Sequence, residues 1–285
     1  MFLMQEPSSR PVGSYVATQV QVILGRQADV LQNGPDAVHA TRVACRRLRS
    51  TLRTFHALWL TRHRGLLKDL RWYGRLLGAP RDTEVLEEGL VEIISTLDAP
   101  GLDLLESRLR RRLDADRDAG LDLLFEGMAS ARFTRLTNRL ERLAGHVDWD
   151  ELAEVPAVRL LPALAFGPVM QVALRAGRLP DAGDARLVQL HEVRKKAKAA
   201  RYAYEAIGAP GTKEAATWKK VTESLGNVQD GHVGDGLLDE LEAEAVAEGE
   251  PTAPYALLRD SLGRRMGDGE HEGLDALAKA VTEAP

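Results

Sequence analysis

One stretch of the sequence places basic side chains at a spacing that suits anion binding. The stretch contains His39, Arg42, Arg46, Arg49 and Arg53, at successive intervals of three, four, three and four residues. In an α-helix this spacing puts all five side chains on one face. At about 1.5 Å of rise per residue the row is about 21 Å long. Because arginine presents a planar fork that matches phosphate oxygens, the row predicts binding to an extended, regularly charged anion.

A second row repeats the pattern in the other half of the chain. It consists of His191, Arg194, Lys198 and Arg201, and Lys195 widens its basic side. A charged helix face is ordinarily only solvated. Here one sign dominates, and the pattern occurs twice with a histidine in the same position, which favours a binding site over a solvated face.

The distribution of charge supports this interpretation better than the total does. The chain has 285 residues and a formal net charge of −4, which by itself would argue against a polyanion partner. However, residues 38–81 contain eleven Lys and Arg against one acidic residue, and residues 190–220 contain eight against three. The two basic segments are the two that carry the rows, so the acidic residues lie elsewhere in the sequence.

The elements that must position these rows are helices. Apolar residues recur at intervals of three and four, aromatic residues are only 5% of the chain, and no segment alternates with period two. The predicted fold class is therefore all-α. The predicted helices span about 12–32, 36–60, 62–78, 82–97, 102–119, 121–145, 156–177, 184–207, 212–225, 230–248, 254–266 and 271–282.

The chain also contains an internal repeat. Three blocks recur in the same order, and the predicted division places a first helical bundle at 1–148 and a second at 149–285. The paired blocks are Val38–Arg42 with Leu190–Arg194, Leu77–Val85 with Leu225–Val233, and Leu104–Asp122 with Leu257–Asp275. Each copy is the size of a domain, so the repeat does not indicate a short-period solenoid.

Several residues with possible chemistry have simpler interpretations. Asp82 and Asp230 occupy matching positions near predicted helix starts, where an N-cap is expected, the alternative being that each orients a basic residue. Neither His39 nor His191 has a second strong ligand at helical spacing, which disfavours a metal site. Cys45, the single cysteine, excludes an intramolecular disulfide framework and is expected to fill the core. We therefore expect no cofactor.

The sequence contains no feature that predicts export or membrane insertion. The first six residues lack a basic start and a long apolar run. The longest apolar region, around 155–174, is interrupted by Arg159, Pro162 and Pro168. We expect a cytoplasmic protein without a membrane partner.

At these residues the sequence resembles the CHAD family, the conserved histidine α-helical domain proteins, over about 12–280. The resemblance is carried by the two rows, by the Leu-Gly-x-x-Arg/Gln-Asp-x-x-Val blocks that end at Val85 and Val233, and by Ala131–Phe133. It implies two antiparallel helical bundles related by pseudo-two-fold symmetry around a basic central channel. It also implies non-catalytic binding of inorganic polyphosphate and association with polyphosphate granules and their proteins.

The sequence departs from the family pattern in its second half. That half has no obvious counterpart of Arg132, and Gln229 stands where the first copy has Arg81. A Glu-x-Glu-x-Lys motif of the kind found in CYTH triphosphatases is absent, so the chain resembles a stand-alone binder rather than an enzyme. The predicted polyphosphate-binding residues are His39, Arg42, Arg46, Arg49, Arg53, Arg132, His191, Arg194, Lys195, Lys198 and Arg201.

Two other functions remain open at this stage. Single-stranded nucleic-acid binding would also need rows of Arg and Lys, although no recognition motif of a known nucleic-acid-binding fold occurs. A metal-dependent polyphosphate-modifying enzyme would need converging carboxylates. Of these partners we expect inorganic polyphosphate, and nucleic acid is the less expected one.

Overall fold

The computed structural model describes residues 6–34, 36–208 and 213–283, and within them the secondary structure is helical. Two isolated bridges, Pro7 with Pro156 and Trp59 with Trp149, are the extended pairings in this part of the chain. The all-α prediction is confirmed. The helices are α1 (Ser9–Gly25), α2 (Gln27–Leu31), α3 (Ala37–Thr54), α4 (Arg64–Leu76), α5 (Gly78–Ile94), α6 (Leu102–Met128), α7 (Ala131–Gly145), α8 (Ala157–Ala176), α9 (Asp184–Ile207), α10 (Lys213–Glu248) and α11 (Ala253–Thr282).

Several predicted helix boundaries are wrong. The first predicted helix is divided at Arg26, and the second ends at Thr54, before a short 3-10 turn. Conversely, the predicted breaks at 120, at 226–229 and at 267–270 lie inside the continuous helices α6, α10 and α11. Gly120 and Gly269, which lie in two of those predicted breaks, serve close packing. A Cβ at Gly120 would lie 3.0 Å from the backbone nitrogen of Pro80, and one at Gly269 would lie 2.7 Å from a backbone oxygen.

Buried apolar side chains form three clusters rather than two. The N-terminal cluster joins α1, α3, α4 and α7 with one end each of α6, α8 and α9. The C-terminal cluster joins the remainder of α8 and α9 with the first half of α10 and the end of α11. The bridging cluster is built from α5, the start of α6, the second half of α10 and the start of α11.

The bridging cluster connects the two predicted halves. Leu90 and Leu109 from the first half pack there with Leu241 and Tyr255 from the second, and all four are buried. The N-terminal cluster likewise contains Ala203 from α9. The halves therefore share their cores, while the division at residue 148 and the pseudo-two-fold axis stay predictions.

Helix α8 spans the most apolar region of the sequence. Within the described residues it is the one helix that is long and apolar enough to cross a bilayer, a test that core helices of soluble proteins also pass. Its side chains at every fourth position, from Ala157 through Leu161 and Ala165 to Val169, are buried in the N-terminal and C-terminal clusters. This spacing is that of a core helix, although its opposite side, including Met170, is exposed.

A buried carboxylate fixes α1, α3 and α9 against one another. Glu205 is only 8% exposed, and it accepts hydrogen bonds from Tyr15 Oη, Arg47 Nε and Arg201 Nε, each at 2.8 Å. Burial by itself would raise the pKa of Glu205, but these donors hold it below its usual value. The carboxylate thus sets how the two helices that carry the basic rows lie against each other.

Candidate functional site

The two basic rows lie on α3 and α9, which pack directly against each other. In α3 the side chains of Thr41, Cys45, Leu48 and Leu52 are buried, and burial raises the pKa of the Cys45 thiol. The row on α3 occupies the adjacent face because its members are offset by one residue from these positions. The contact between the helices brings residues about 150 positions apart in the sequence to one place.

Four cations from the two rows meet at this contact, and we call them the central cations. They are Arg42 and Arg46 on α3, and Arg194 and Lys198 on α9. Each of the three arginines lowers the pKa of at least one other central cation, because like charges at short range disfavour the protonated forms. The structure therefore brings together four of the eleven predicted site residues.

Two of the central cations are paired with the matching aspartates of the repeat. Arg42 donates two hydrogen bonds to Asp82, at 2.6 and 2.7 Å, and Arg194 Nη1 lies 3.8 Å from Asp230. The expectation that these aspartates are N-caps is wrong, because Asp82 lies inside α5, which begins at Gly78, and Asp230 lies in the middle of α10. The alternative, that each aspartate orients a basic residue, describes the observed contacts.

Each of these arginines also lies against a glycine at a matching position of the repeat. A Cβ at Gly78 would lie 3.4 Å from Arg42 Nη2, and a Cβ at Gly226 would lie 2.8 Å from Arg194 Nη2. The glycines therefore let the guanidinium groups lie directly on the backbone of α5 and α10. The same three-part contact of arginine, aspartate and glycine occurs in both halves, as a duplicated unit predicts.

The other two central cations have no acidic partner. In the described ranges no carboxylate oxygen lies within 4.0 Å of Arg46 or Lys198, although both are half-buried. Burial lowers the pKa of both groups, and with the nearby arginines it brings that of Lys198 to about 7. Positive charge that is partly removed from water and unpaired is costly, and a bound anion would remove that cost.

Beyond Arg46 the α3 row continues onto a part of α4 that the sequence reasoning missed. Burial lowers the pKa of Arg49, as do Arg53 and two residues of α4, Arg71 and Arg75. Throughout the described chain none of these four arginines has a carboxylate within 4.0 Å. The interval of four residues between Arg71 and Arg75 is visible in the sequence, but only the packing of the helices places these two arginines beside α3.

The two histidines lie at the outer ends of the rows. Burial lowers the pKa of both; nearby Arg81 lowers that of His39 further, and nearby Lys195 that of His191. His39 lines a cavity of about 150 Å³ together with Arg81. His191 hydrogen bonds with Gln229, the counterpart of Arg81, while its buried Nδ1 has no hydrogen-bond partner among the described residues.

Three other predicted site residues are engaged by acidic partners. Arg201 binds the buried Glu205. Lys195 binds Glu192, one turn earlier on its own helix. Arg132 binds the buried Asp69 and lies over the ring of Trp72, with 4.7 Å from its Cζ to the ring centroid. Arg201 and Arg132 are placed to stabilise contacts between helices, and Lys195 stabilises its own helix, so direct contact of these three residues with an anion stays a prediction.

The described residues show no metal-ligating cluster, and two cavities of the protein lie away from the central cations. In that part of the chain no group of three or more His, Cys, Asp or Glu side chains is placed to hold a metal ion. A cavity of about 650 Å³ lies between α1 and the end of α7, and no predicted site residue lines it. The predicted central channel thus stays a prediction.

Comparison with known proteins finds a matching family model and two similar sequences. The CHAD domain family model matches residues 14–239. Two uncharacterized proteins from Mycobacterium tuberculosis strains, CDC 1551 / Oshkosh and ATCC 25618 / H37Rv, are each 32% identical over 289 aligned residues, which cover 98% of this chain. The alignment covers 55% of each relative, so this chain spans about half their length.

Two solved structures share the architecture. The CHAD domain from the plant Ricinus communis superimposes with a TM-score of 0.69 and 25% identity, covering 99% of this chain and 94% of that one. PptA from Streptomyces chartreusis superimposes with a TM-score of 0.72 and 21% identity, covering 98% of this chain and 99% of that one. With duplicated His–Arg rows, an all-α fold and a family model that matches most of its length, this chain belongs to the CHAD domain family.

Proposed function

We propose that this protein binds inorganic polyphosphate, without altering it chemically, at the central cations of α3 and α9. Polyphosphate binding is a known property of CHAD domains, and family membership links this chain to polyphosphate. The observation that carries the proposal is the pair Arg46 and Lys198: two half-buried cations on different helices, with no carboxylate within 4.0 Å in the described residues. An anion that reaches both relieves their mutual repulsion.

The shape of the site favours a linear polymer. The row on α3 extends about 21 Å from His39 to Arg53, which is far longer than a single phosphate. Arg49 and Arg53 continue the unpaired charge beyond the central cations. A flexible chain with one negative charge per unit can contact each of these residues in turn, and such contacts are ionic and independent of sequence.

The paired arginines have a different part in this proposal. Asp82 holds Arg42 in a two-point contact, and Asp230 lies near Arg194. Asp82 is itself largely exposed, with 70% of its side-chain surface accessible. Both aspartates keep the guanidinium groups oriented at the edge of the site, and they also repel an anion that approaches too closely. Arg46 and Lys198 are therefore the principal contacts.

Three further parts of the proposal concern the cell. The protein acts as a binder rather than an enzyme, it is cytoplasmic, and it associates with polyphosphate granules. These statements rest on the family resemblance.

The test compares a double variant of the site with a matched variant elsewhere. Arg46→Gln with Lys198→Gln removes two charge-assisted contacts, which are worth about 1.5–3 kcal/mol each, so polyphosphate affinity falls at least about hundredfold. The control, Arg111→Gln with Lys279→Gln, removes the same charge from exposed positions and leaves affinity within about threefold. Circular dichroism and thermal unfolding establish that both variants are folded.

Two outcomes would contradict the proposal. The first is that the double variant retains full affinity for long-chain polyphosphate. The second is that single-stranded nucleic acid displaces polyphosphate from the unmodified protein at equal charge concentration. Release of orthophosphate from polyphosphate in the presence of magnesium would contradict the non-catalytic part. That release is measured on the same samples.

A further inference from the structure

The exposed face of α4 carries a third basic row, which belongs neither to the repeat nor to the two rows that begin with a histidine. Its members are Arg64, Lys68, Arg71 and Arg75, at intervals of four, three and four residues. This spacing puts them on one face of the helix. All four side chains are exposed, while Leu66, Leu70 and Tyr73 on the opposite side are buried. We call these four residues the α4 row.

The α4 row is not neutralised by acidic neighbours. In the parts of the chain that the structure describes, none of its four members has a carboxylate within 4.0 Å. The single acidic residue of the helix, Asp69, is buried on another side and binds Arg132 and Arg139 of α7. The acid that could have offset the row is thus already engaged by a helix contact.

Among the described residues about half of the arginines form an ion pair with a carboxylate, and most arginines of α6 do so. Helix α6 carries Arg108, Arg110, Arg112 and Arg117, and each forms at least one ion pair with a nearby carboxylate. Arg108 alone contacts three glutamates. On the same helix Arg111 is exposed and, in the described residues, has no carboxylate within 4.0 Å. A single unpaired arginine is thus ordinary here, whereas α4 sets four unpaired cations along one face, where like charges repel one another, and this arrangement favours an external anion.

The α4 row is continuous with the site on α3. Helices α3 and α4 pack together. Arg71 and Arg75 are close enough to Arg49 to lower its pKa, after the effects of burial and of Arg53. From Arg75 the row extends about 16 Å to Arg64. A polymer that lies along α3 can therefore continue along α4 and remain in contact with unpaired positive charge over its whole path.

The second half of the chain does not repeat this feature. The segment that corresponds to α4 in the repeat is the start of α10. There Lys219 and Glu223 stand at the positions of Arg71 and Arg75, and they form an ion pair at 3.6 Å. Ala216 stands at the position of Lys68. The extension of the basic surface is thus one-sided.

We propose that the α4 row is an outer segment of the polyanion site, which only a long polyphosphate chain reaches, so that it determines the preference for chain length. This inference rests on the proposed function, since it assumes that the central cations bind the same polymer. A short phosphate chain occupies the central cations alone. A long chain binds both the central cations and the α4 row, and its free end extends into solvent from the N-terminal half.

The test measures the affinity of one variant for phosphate chains of two lengths. Lys68→Gln, Arg71→Gln and Arg75→Gln together remove three exposed charges, and affinity for long-chain polyphosphate falls about tenfold. Affinity for tripolyphosphate stays within about twofold. The slope of log affinity against log salt for the long chain becomes shallower by about two, because three fewer phosphate contacts release counterions.

The matched control is Arg111→Gln, Arg178→Gln and Lys279→Gln, which removes the same number of exposed charges away from α4. It changes neither the ratio of the two affinities nor the salt slope. The inference is overturned if the two triple variants behave alike, or if the α4 variant weakens both chain lengths equally. It is also overturned if that variant weakens single-stranded DNA binding and leaves long-chain polyphosphate binding intact.

Failure of this inference is distinguishable from failure of the proposed function. If the unmodified protein binds polyphosphate and the Arg46/Lys198 double variant does not, the central site stands whatever the α4 variants show. If the double variant binds normally, the proposed function fails first.

Discussion

Raising the pH through neutrality should weaken polyphosphate binding through Lys198. Its ammonium group faces Arg42 and Arg46 from α3, Arg194 from its own helix and Asp230 from α10. Burial and the three arginines lower the pKa of Lys198 to about 7, and Asp230, which raises it, offsets only part of this effect. Negative charge from a bound polyphosphate favours the protonated form and raises this pKa. Binding above pH 7 must therefore take up a proton at Lys198.

The size of the effect follows from proton linkage. Well below pH 7, Lys198 is charged in the free protein as well, and its titration does not change affinity. Above pH 7 affinity falls by up to tenfold per pH unit, until the pH reaches the pKa of the bound state. If binding returns that pKa to near the ordinary lysine value, affinity falls about 25-fold between pH 6.5 and 8.5.

Titration calorimetry at constant ionic strength measures this dependence. Long-chain polyphosphate is the ligand because its internal phosphates stay ionised over the whole range. Buffers of different ionisation enthalpy report the number of protons taken up, which should approach one near pH 8.5. The control is Lys198→Arg, since arginine stays charged and should bind with little pH dependence above pH 7.

The histidines do not obscure this measurement. The pKa values of His39 and His191 are both lowered from the ordinary histidine value, so both are mainly neutral in the free protein above pH 7, and any protons that they take up on binding are also taken up by the Lys198→Arg variant. The reasoning is refuted if the affinity of the unmodified protein is the same at pH 6.5 and 8.5. It is equally refuted if Lys198→Arg keeps the full slope.

Two further variants test the framework of the site. Gly226→Ala forces the Arg194 guanidinium from the α10 backbone, so polyphosphate affinity falls several-fold. Thermal stability does not fall, since alanine favours a helix by about 0.5–1 kcal/mol relative to glycine. The control Gly236→Ala, at a position with open space around it, should raise thermal stability and leave affinity unchanged. Glu205→Gln leaves Arg47 without its charged partner and lowers the free energy of unfolding in urea by about 3–5 kcal/mol. Because the pKa of Glu205 is lowered on folding, its stabilising effect is complete above the unfolded pKa and is lost as pH falls through the folded one. An unchanged urea midpoint for Glu205→Gln would contradict this role.

The repeat is expressed in contacts as well as in sequence. Arg42 with Asp82 and Arg194 with Asp230 are matching pairs, yet the first is a close two-point contact and the second a 3.8 Å approach. The two halves thus keep the same partners with different geometry. The tighter pair lies in the half that also carries the α4 row, so the N-terminal half differs from its copy in more than one respect.

Some expectations failed because local sequence signals have more than one cause. Gly120 and Gly269 lie in gaps between predicted helices, yet each lies inside an observed helix, where a neighbouring backbone approaches too closely for a side chain. Asp82 suggested a cap because the turn-forming residues 78–80 precede it, yet α5 already begins at Gly78. A glycine or a proline in the first turn is compatible with a helix, and only the packing partner determines which role applies.

The sequence by itself determined the properties that depend on spacing along one helix. The rows on α3 and α9, the all-α fold class, the repeat and the segregation of charge all follow from intervals of three and four residues or from counting. Tertiary structure alone decided which cations are free. Arg42 meets Asp82 across 40 residues, Arg132 meets Asp69 across 63, and Arg47 meets Glu205 across 158. Whether a positive charge has a partner depends on distances in space, which helical periodicity does not contain. Arg46 and Lys198 could therefore be identified as unpaired among the described residues only from the packed helices.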